Sequence, residues 1–519
     1  HRTDCKGPLA RESWQPAWAR EDRKPAFVRD DLGLPFGPNK YLWGNVPALD
    51  ILRLGSNEGD DYDGDLSLLF AASGDLRNVV MTIARLPSSY KRSIKIAMND
   101  RDLDIVARNA ILLLIALVVE NVDEAVDHMI HIWYSAFVRK SDAHLLERQI
   151  RPLVHDVCEK IKDKPPTSLL EKTWTFKGRS LRVALCKSSW DKFLSHLDVP
   201  VGLTTEQAHR VRTASTLAES RRDYLERRLY AHSPAHRVAF HQFRVDGLLL
   251  PFGSPRDDFR EPNPTFFQGA GIWPMNDNAD PLHGWSSEEV AETSSGAAAA
   301  DMYGKLFYYL RALLGAFLAR LSDTNISFRL LQADVLDLPD RLAGETFSRI
   351  EVSNIADAGY LGIHRTLAPM VPLLQTPLVN KHATLITLFM NAIIETMTEK
   401  DKKPNGQAVR RLLQYLPQRR VPISAYDPDE LKLSFAIGKV LTYNHVLDRY
   451  LNGLRFRECG DLVGAAMKEE HTIVEKWPYR LKLRPGQPGA QEEFDRLMTG
   501  SVSGKEFYVE WSRVRQGVI

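Results

Sequence analysis

Residues 65–86 read DLSLLFAASGDLRNVVMTIARL, and this stretch decides the fold that the sequence predicts. It opens with an apolar run of strand length, Leu66–Ala72, and breaks at residues 73–75, Ser-Gly-Asp. After the break, apolar residues recur at helical spacing from Leu76 to Leu86. Many nucleotide-binding α/β domains begin with a strand, a tight turn and a helix, and the N–H groups of such a turn favour anions. A plain turn between a strand and a helix in any other α/β protein would look similar.

The composition is that of an ordinary globular protein. The 519 residues are 44% hydrophobic, which predicts a sizeable core in two or three domains, or in one domain with a large insertion. A formal net charge of +2 gives no overall attraction to nucleic acid, so nucleic acid is not expected as a partner. The longest apolar runs are too short to cross a bilayer, so no membrane is expected either. Four scattered cysteines and no secretory signal predict a reducing compartment, the cytoplasm or the nucleus.

Polar side chains follow the second predicted strand. The segment Arg92–Met98 (RSIKIAM) is the second predicted strand, and Asn99 and Asp100 come directly after it. A polar or acidic side chain at this point binds a ribose in many α/β folds. Asparagine and aspartate also cap helices well, and a strongly helical pattern begins at Leu103, so a capping role stays open beside the ribose role.

Three further strands are predicted after residue 325. Phe328–Gln332 runs into Asp334, and Phe347–Ser353 runs into residues 354–357, Asn-Ile-Ala-Asp. Ala383–Phe389 is apolar and rich in β-branched residues, as a central parallel strand should be. Between the second and third strands lies a long, mostly helical region. After the fifth strand, the chain mixes a helix with predicted strands at 479–483 and 506–513.

The order of these elements resembles the class I S-adenosylmethionine-dependent methyltransferase fold. The predicted fold class is therefore α/β, with a Rossmann-like parallel sheet of that type. A large α-helical insertion would separate its second and third strands, and a mixed α+β C-terminal extension would follow. The two parts of the Rossmann-like domain would be residues 29–119 and 325–398, with the insertion at 120–324 and the extension at 399–519.

This resemblance implies a cofactor site at the carboxyl ends of the strands. The first turn would hold the methionine end of S-adenosylmethionine, and the second strand end would hold its ribose. An aspartate after the third strand would bond the adenine, and the fourth strand end would lie beside the methyl group. The residues in those places are Ser73, Gly74 and Asp75, then Asn99 or Asp100, then Asp334, and finally Asn354.

Few groups are needed for the reaction itself. Methyl transfer requires mainly an aligned nucleophile, and Asn354 and Asp357 are the candidates for orienting a substrate. The first turn of the methyltransferase family usually carries several glycines. This chain has Ala-Ala-Ser-Gly-Asp at residues 71–75, whose side chains narrow the space for a ligand.

The first residues contain two zinc-ligand types. His1 and Cys5 have the spacing H-x3-C, but a tetrahedral structural zinc site needs four ligands and no partner cysteines follow nearby. Residues 1–28 nevertheless resemble the end of a MYND-type zinc finger and the linker that follows it in fungal proteins. The resemblance implies that the other ligands precede residue 1, and that zinc binds only when they are present.

Longer blocks resemble a second family. Residues 41–52 (YLWGNVPALDIL), 73–87 (SGDLRNVVMTIARLP) and 99–117 (NDRDLDIVARNAILLLIAL) are similar to the N-terminal domain of the dynein axonemal assembly factor family. That domain also occurs, as a domain of unknown function, in fungal proteins with a MYND finger. Residues 301–314 and 349–362 fit the same fungal group.

Two functions follow from these resemblances. The first is a methyltransferase-like protein that binds S-adenosylmethionine. The second is a non-catalytic interaction or assembly protein, which would bind protein partners through the helical insertion and the zinc finger. A hydrolase, a zinc protease or a P-loop nucleotidase is not expected, because the chain has no G-x-S-x-G, H-E-x-x-H or Walker A motif.

Overall fold

The computed structural model describes residues 7–28, 35–269, 271–403, 406–416 and 426–514. In this part of the chain, nine strands form one sheet and two short strands form a separate pair. The strands are β1 (Leu66–Phe70), β2 (Ile94–Asp100), β3 (Phe137–Arg139), β4 (Leu169–Phe176), β5 (Arg179–Cys186), β6 (Phe259–Pro262), β7 (Ile326–Gln332), β8 (Arg349–Glu351), β9 (Thr384–Phe389), β10 (Ala465–Met467) and β11 (Phe507–Arg513).

Helices cover both faces of the large sheet. The helices up to residue 246 are α1 (Ala17–Arg20), α2 (Arg77–Ala84), α3 (Leu103–Val118), α4 (Val122–Tyr134), α5 (Lys140–Leu145), α6 (Arg151–Lys160), α7 (Lys187–Phe193), α8 (Thr205–Thr216), α9 (Arg222–Ala231) and α10 (Pro234–Asp246). Those that follow are α11 (Ser287–Glu292), α12 (Met302–Asp323), α13 (Leu338–Arg341), α14 (Gly362–Met370), α15 (Ala392–Thr396), α16 (Gly406–Leu413), α17 (Pro428–Val440), α18 (Asn444–Gly453), α19 (Phe456–Val463) and α20 (Ala490–Thr499). No helix among the described residues is both long and apolar enough to span a bilayer.

The strand order across the large sheet is β10-β11-β9-β8-β1-β2-β7-β5-β4. The central strands β9, β8, β1, β2 and β7 are mutually parallel, and β5 joins them in parallel beside β7. The strand β4 is antiparallel to β5, and β11 is antiparallel to both β9 and β10. The carboxyl ends of all the parallel strands therefore meet at one edge of the sheet.

The central strand β1 is buried on both faces. Leu66, Leu68 and Phe70 belong to one apolar cluster, which includes side chains of α2, α3, α4 and α12. Leu69 belongs to a second cluster on the opposite face, with side chains of α14, α18 and α19. The alternating side chains of one strand thus pack against two helical layers, which explains the continuous apolar sequence of β1.

The five strands predicted from the sequence are confirmed as neighbours in one sheet, so the chain has a mixed α/β fold with a large, mostly parallel sheet. The region between β2 and β7 is mostly helical, but it also adds the hairpin β4–β5 to the edge of that sheet. Lys177 and Gly178 form its two-residue turn, with φ of 49° and 85°. Positive φ at both central residues is typical of the tight turns that match the twist of two antiparallel strands.

The C-terminal extension completes the same sheet. The strand predicted at 506–513 is confirmed as β11, which pairs with β9. The strand predicted at 479–483 is wrong, since no strand lies there. The amides of Lys482 and Leu483 instead donate to the Glu493 carboxylate, at 2.9 and 2.8 Å, so a side chain takes the hydrogen bonds that a neighbouring strand would supply.

Candidate functional site

The turn after β1 is held by the end of β2. The Ala72 amide donates to Asn99 Oδ1 over 2.9 Å, and the Gly74 amide donates to Asp100 Oδ2 over 3.2 Å. Ala72 and Gly74 both have left-handed backbone, with φ of 52° and 59°. Such a conformation is uncommon for a residue with a side chain. The amides predicted to hold a ligand are therefore already paired within the chain.

Asn99 connects three strands at this edge. Its side chain is 1% exposed, and its Nδ2 donates to the Ala333 carbonyl over 2.8 Å, directly after β7. The Ser73 amide donates to the Asn99 carbonyl over 2.9 Å. The structure therefore brings together the first turn, the end of β2 and Ala333, the residue before Asp334. Asp334 itself is exposed and accepts from the Leu336 amide at 2.9 Å.

The two acidic residues nearest the turn also have partners. Asp100 Oδ1 accepts from the Asp102 amide at 2.9 Å, and burial raises the pKa of the Asp100 carboxyl. The expected helix cap at Asn99 or Asp100 is wrong, because Asp102 caps α3 by accepting from the Asp104 amide at 2.9 Å. Asp75 is buried, and its Oδ2 accepts from the Gly44 amide at 2.9 Å.

Residues 40–45, which we call the strap, lie against these loops. Lys40 Nζ lies 3.6 Å from Asp102 Oδ2 and pairs with the Asp104 carboxylate after β2. At its other end the strap reaches α2, where a Cβ on Gly44 would overlap the Arg77 guanidinium. A side chain at residue 44 would therefore require the Arg77 guanidinium to move, and the strap spans from the end of β2 to the start of α2.

The end of β8 carries a buried carboxyl that the sequence analysis did not single out. Glu351 Oε1 accepts from the Ser353 amide at 2.6 Å, and Oε2 accepts from Asn78 Nδ2 at 3.4 Å. Burial raises the pKa of Glu351 to about 7. Ser353 has φ of 50°, so this turn also adopts left-handed backbone. A glutamate between Ile350 and Val352 in this short strand is the signal that could have identified it.

The two candidates for orienting a substrate lie just beyond β8. Asn354 is half-buried, and its side chain lies close to that of Tyr360, which is 54% exposed. Asp357 is buried, and its Oδ2 accepts from the amides of Met390 and Asn391 at 2.9 and 3.2 Å. Burial raises the pKa of Asp357 to about 6. Asp357 Oδ2 therefore fixes the turn after β9, whereas Oδ1 is buried and has no hydrogen-bond partner among the described residues.

A cavity of about 530 Å³ lies beside the strap, beyond the end of β9. Its walls come from the strap, α9, α17, the end of α20 and the segment 275–283. Met390, which follows β9, also lines it. None of the seven predicted cofactor-binding residues contributes to its wall. The structure thus separates this cavity from the predicted cofactor cleft.

The predicted zinc ligands His1 and Cys5 lie outside the described residues. Within the described ranges, no three histidine, cysteine or acidic side chains are grouped so that they could hold a metal ion.

Comparison with known proteins gives one family match. Residues 42–138 match the family described as Domain of unknown function (DUF4470). The matched segment includes Ser73–Asp75, Asn99 and Asp100, whereas Asp334 and Asn354 lie outside it. No curated protein and no solved structure matches the chain. The predicted likeness to a domain of unknown function is therefore confirmed for this N-terminal segment.

Proposed function

We propose that this chain is a methyltransferase-like protein that acts as a non-catalytic interaction or assembly factor. In this proposal, its own residues hold the cofactor cleft closed. The main support for the proposal is that backbone amides of the cleft already form hydrogen bonds within the chain. The Ala72 and Gly74 amides are bonded by the side chains of Asn99 and Asp100, which were expected to hold a ribose.

The strand order supports the methyltransferase-like part of the proposal. Numbered along the chain without the hairpin β4–β5, the five central strands follow the order 3-2-1-4-5 across the sheet. This is the order of a doubly wound Rossmann sheet, which binds ligands outside the carboxyl ends of its strands. The antiparallel strand β11 extends the sheet beyond its fifth parallel strand.

The strap supports the non-catalytic part. A bound S-adenosylmethionine would have to displace the ion pairs of Lys40 with Asp102 and Asp104. Otherwise it would have to break the hydrogen bond from the Gly44 amide to the Asp75 carboxylate. It would also have to unpair the partly buried amides of Ala72 and Gly74, and leaving a donor unpaired costs up to about 1–3 kcal/mol when it is fully buried. A protein that uses this fold without binding the cofactor keeps all of these contacts and hydrogen bonds. Its partners would be proteins.

Isothermal titration calorimetry with S-adenosylmethionine and S-adenosylhomocysteine tests the proposal. The closed cleft predicts no binding of either compound at millimolar concentration. A methyltransferase of known affinity, titrated in the same buffer, controls for the integrity of both ligands. Binding by this protein that is lost in Asp334→Ala would contradict the proposal.

An active methyltransferase is the second candidate, and two observations favour it. A side chain at Gly74 would meet no atom within 4 Å, so there is open space beside the first turn. Asp334 is exposed and could accept a hydrogen bond from an adenine amino group. In this case the variant Gly74→Trp would also abolish binding, because the indole would fill that space, whereas Gly315→Trp on the outside of α12 would not.

A further inference from the structure

Two arginines meet at one neutral oxygen near the cavity. Arg228 Nη1 on α9 and Arg244 Nη1 on α10 both donate to the Asp277 carbonyl, at 3.1 and 2.6 Å. Arg244 is 2% exposed, and its Nε and Nη2 have no partner among the described residues. Two positive charges are therefore concentrated on one carbonyl oxygen.

The nearby acids do not neutralise this pair. The Asp277 carboxylate is engaged elsewhere, since it accepts from Arg221 Nε at 2.9 Å and from the Phe36 amide at 2.8 Å. The Asp280 carboxylate accepts from Tyr303 at 2.7 Å and from Leu282 at 3.0 Å. In the described part of the chain, neither Arg228 nor Arg244 forms an ion pair. Because a buried charge without a counterion is costly, the arrangement favours an anion from outside the chain.

The Arg228 side chain lines the cavity, and the side chain of His232 lines it as well. His232 Nδ1 is buried and forms no hydrogen bond within the described residues. Burial lowers the pKa of His232 to about 3, so its imidazole is neutral at pH 7 and can donate to or accept from a ligand. An arginine and an imidazole with one unpaired nitrogen therefore line the same cavity.

The rest of the wall is suited to a flat, apolar group. The side chains of Trp43, Tyr224 and Phe240 line the cavity, and Phe240 also stacks on the Arg244 guanidinium at 4.6 Å. A volume of about 530 Å³ lies within the range of small-molecule sites, about 300–1,000 Å³. Arginine pairs suit phosphate because each guanidinium can donate two parallel hydrogen bonds.

We infer that this cavity binds a phosphate monoester carried on a planar apolar body, such as a nucleoside monophosphate. Arg228 binds the phosphate, with Arg244 behind it adding charge. The aromatic side chains of the wall cover the planar part. This site is separate from the predicted cofactor cleft and does not rest on the proposed function, because S-adenosylmethionine carries no phosphate.

Calorimetry on the full chain at pH 7.5, with AMP, adenosine and inorganic phosphate as separate probes, tests the inference. AMP is expected to bind at least about tenfold more tightly than adenosine, because hydrogen bonds to a charged group contribute more than neutral ones. AMP is also expected to bind at least about tenfold more tightly than inorganic phosphate, since aromatic stacking adds to affinity. The comparison uses the unmodified chain alone, so it does not depend on the folding of any variant.

The variant Arg228→Gln tests the residue that binds the phosphate. Its affinity for AMP should fall at least about tenfold, while its affinity for adenosine stays unchanged. The matched control is Arg222→Gln, since Arg222 lies on α9, pairs with Glu226 at 3.0 Å and does not line the cavity. Equal affinities for AMP and adenosine, no binding of AMP at millimolar concentration, or undiminished AMP binding by a folded Arg228→Gln would each overturn the inference.

Discussion

Asn99 is the single residue on which the carboxyl edge of the sheet depends most. It was predicted either to bind a ribose or to cap a helix, and the helix cap proved to be Asp102. Its two side-chain hydrogen bonds go to residues 72 and 333, which lie far away along the chain. Sequence patterns locate a polar residue at a strand end, but they cannot identify partners that only the folded sheet brings near.

The variant Asn99→Ala should be destabilised by about 1–3 kcal/mol, because it leaves the partly buried Ala72 amide and Ala333 carbonyl without their side-chain partner. Urea denaturation of the purified protein measures the free energy of unfolding. Arg101→Ala, an exposed neighbour, serves as the control and should change that energy by less than about 0.5 kcal/mol. Equal stabilities for the two variants would show that Asn99 does not hold the edge together.

Glu351 makes stability depend on pH. Burial raises its pKa from 4.5 to about 7 in the folded protein, so between these values the folded state keeps a proton that the unfolded state has lost. Its stabilising contribution is complete below pH 4.5 and declines as the pH rises towards 7. At about 1.4 kcal/mol per pKa unit, the loss between pH 4.5 and 8 is about 3 kcal/mol.

The variant Glu351→Gln removes this titration. Between pH 4.5 and 8 the wild type should lose about 3 kcal/mol of unfolding free energy through this titration, and the variant should not show that loss. The measurement is urea denaturation of both proteins at several pH values. The loss of the hydrogen bond from Asn78 lowers the stability of the variant equally at each pH. The test is therefore how steeply the free energy of unfolding changes with pH in each protein, not its absolute value. Parallel slopes would mean that Glu351 is ionised in the folded protein at neutral pH.

Among the elements, long apolar strands were the easiest to predict and the short hairpin was missed. The strand β9 is fully buried, so its apolar sequence alone identified it. The strand β4 lies at the sheet edge, and Trp174 is its one buried side chain. Its partner β5 follows after only two residues, Lys177 and Gly178. The sequence contains this turn, but the region around it was predicted to be helical, so the hairpin was not predicted.

Helix α19 packs closely against the C-terminal part of the sheet. A Cβ at Gly460 would come within 2.5 Å of the Ala465 carbonyl oxygen, at the start of β10. We expect Gly460→Ala to be destabilised by about 1–3 kcal/mol, because neither the backbone of β10 nor the nearby Trp511 ring can easily move. Thermal or urea unfolding measures the change.

The control for this prediction is Gly315→Ala within α12, where a Cβ would meet no atom within 4 Å. It should be stabilised by about 0.5–1 kcal/mol, since alanine favours a helix more than glycine does. A Gly460→Ala variant as stable as the wild type would show that α19 does not lie this close to β10.

At the scale of the whole molecule, one sheet is assembled from distant parts of the chain. The strand β5 of the insertion pairs with β7, and β11 of the C-terminal extension pairs with β9. The sequence predicted the five central strands and their common edge. It did not predict that the insertion and the extension continue the same sheet, because pairing between strands far apart in sequence leaves no local pattern.

A chain that lacks residues 120–324 should therefore fail to fold. The deletion removes β5 from the edge of β7 and removes α12 from the apolar cluster that covers β1. Far-UV circular dichroism and size-exclusion chromatography would show an unfolded or aggregated product, because a sheet that loses this cover exposes its apolar face. A monomeric, cooperatively unfolding product would instead show that the insertion is an independent module.

The central claim is that the cofactor cleft is closed by the chain itself, and hydrogen exchange of the Ala72 and Gly74 amides tests it most directly. We predict that both amides exchange slowly, because side chains of β2 bind them, and that millimolar S-adenosylhomocysteine leaves their rates unchanged. Fast exchange that becomes slow when the ligand is added would contradict the account, since it would mean that these amides are available to bind a cofactor.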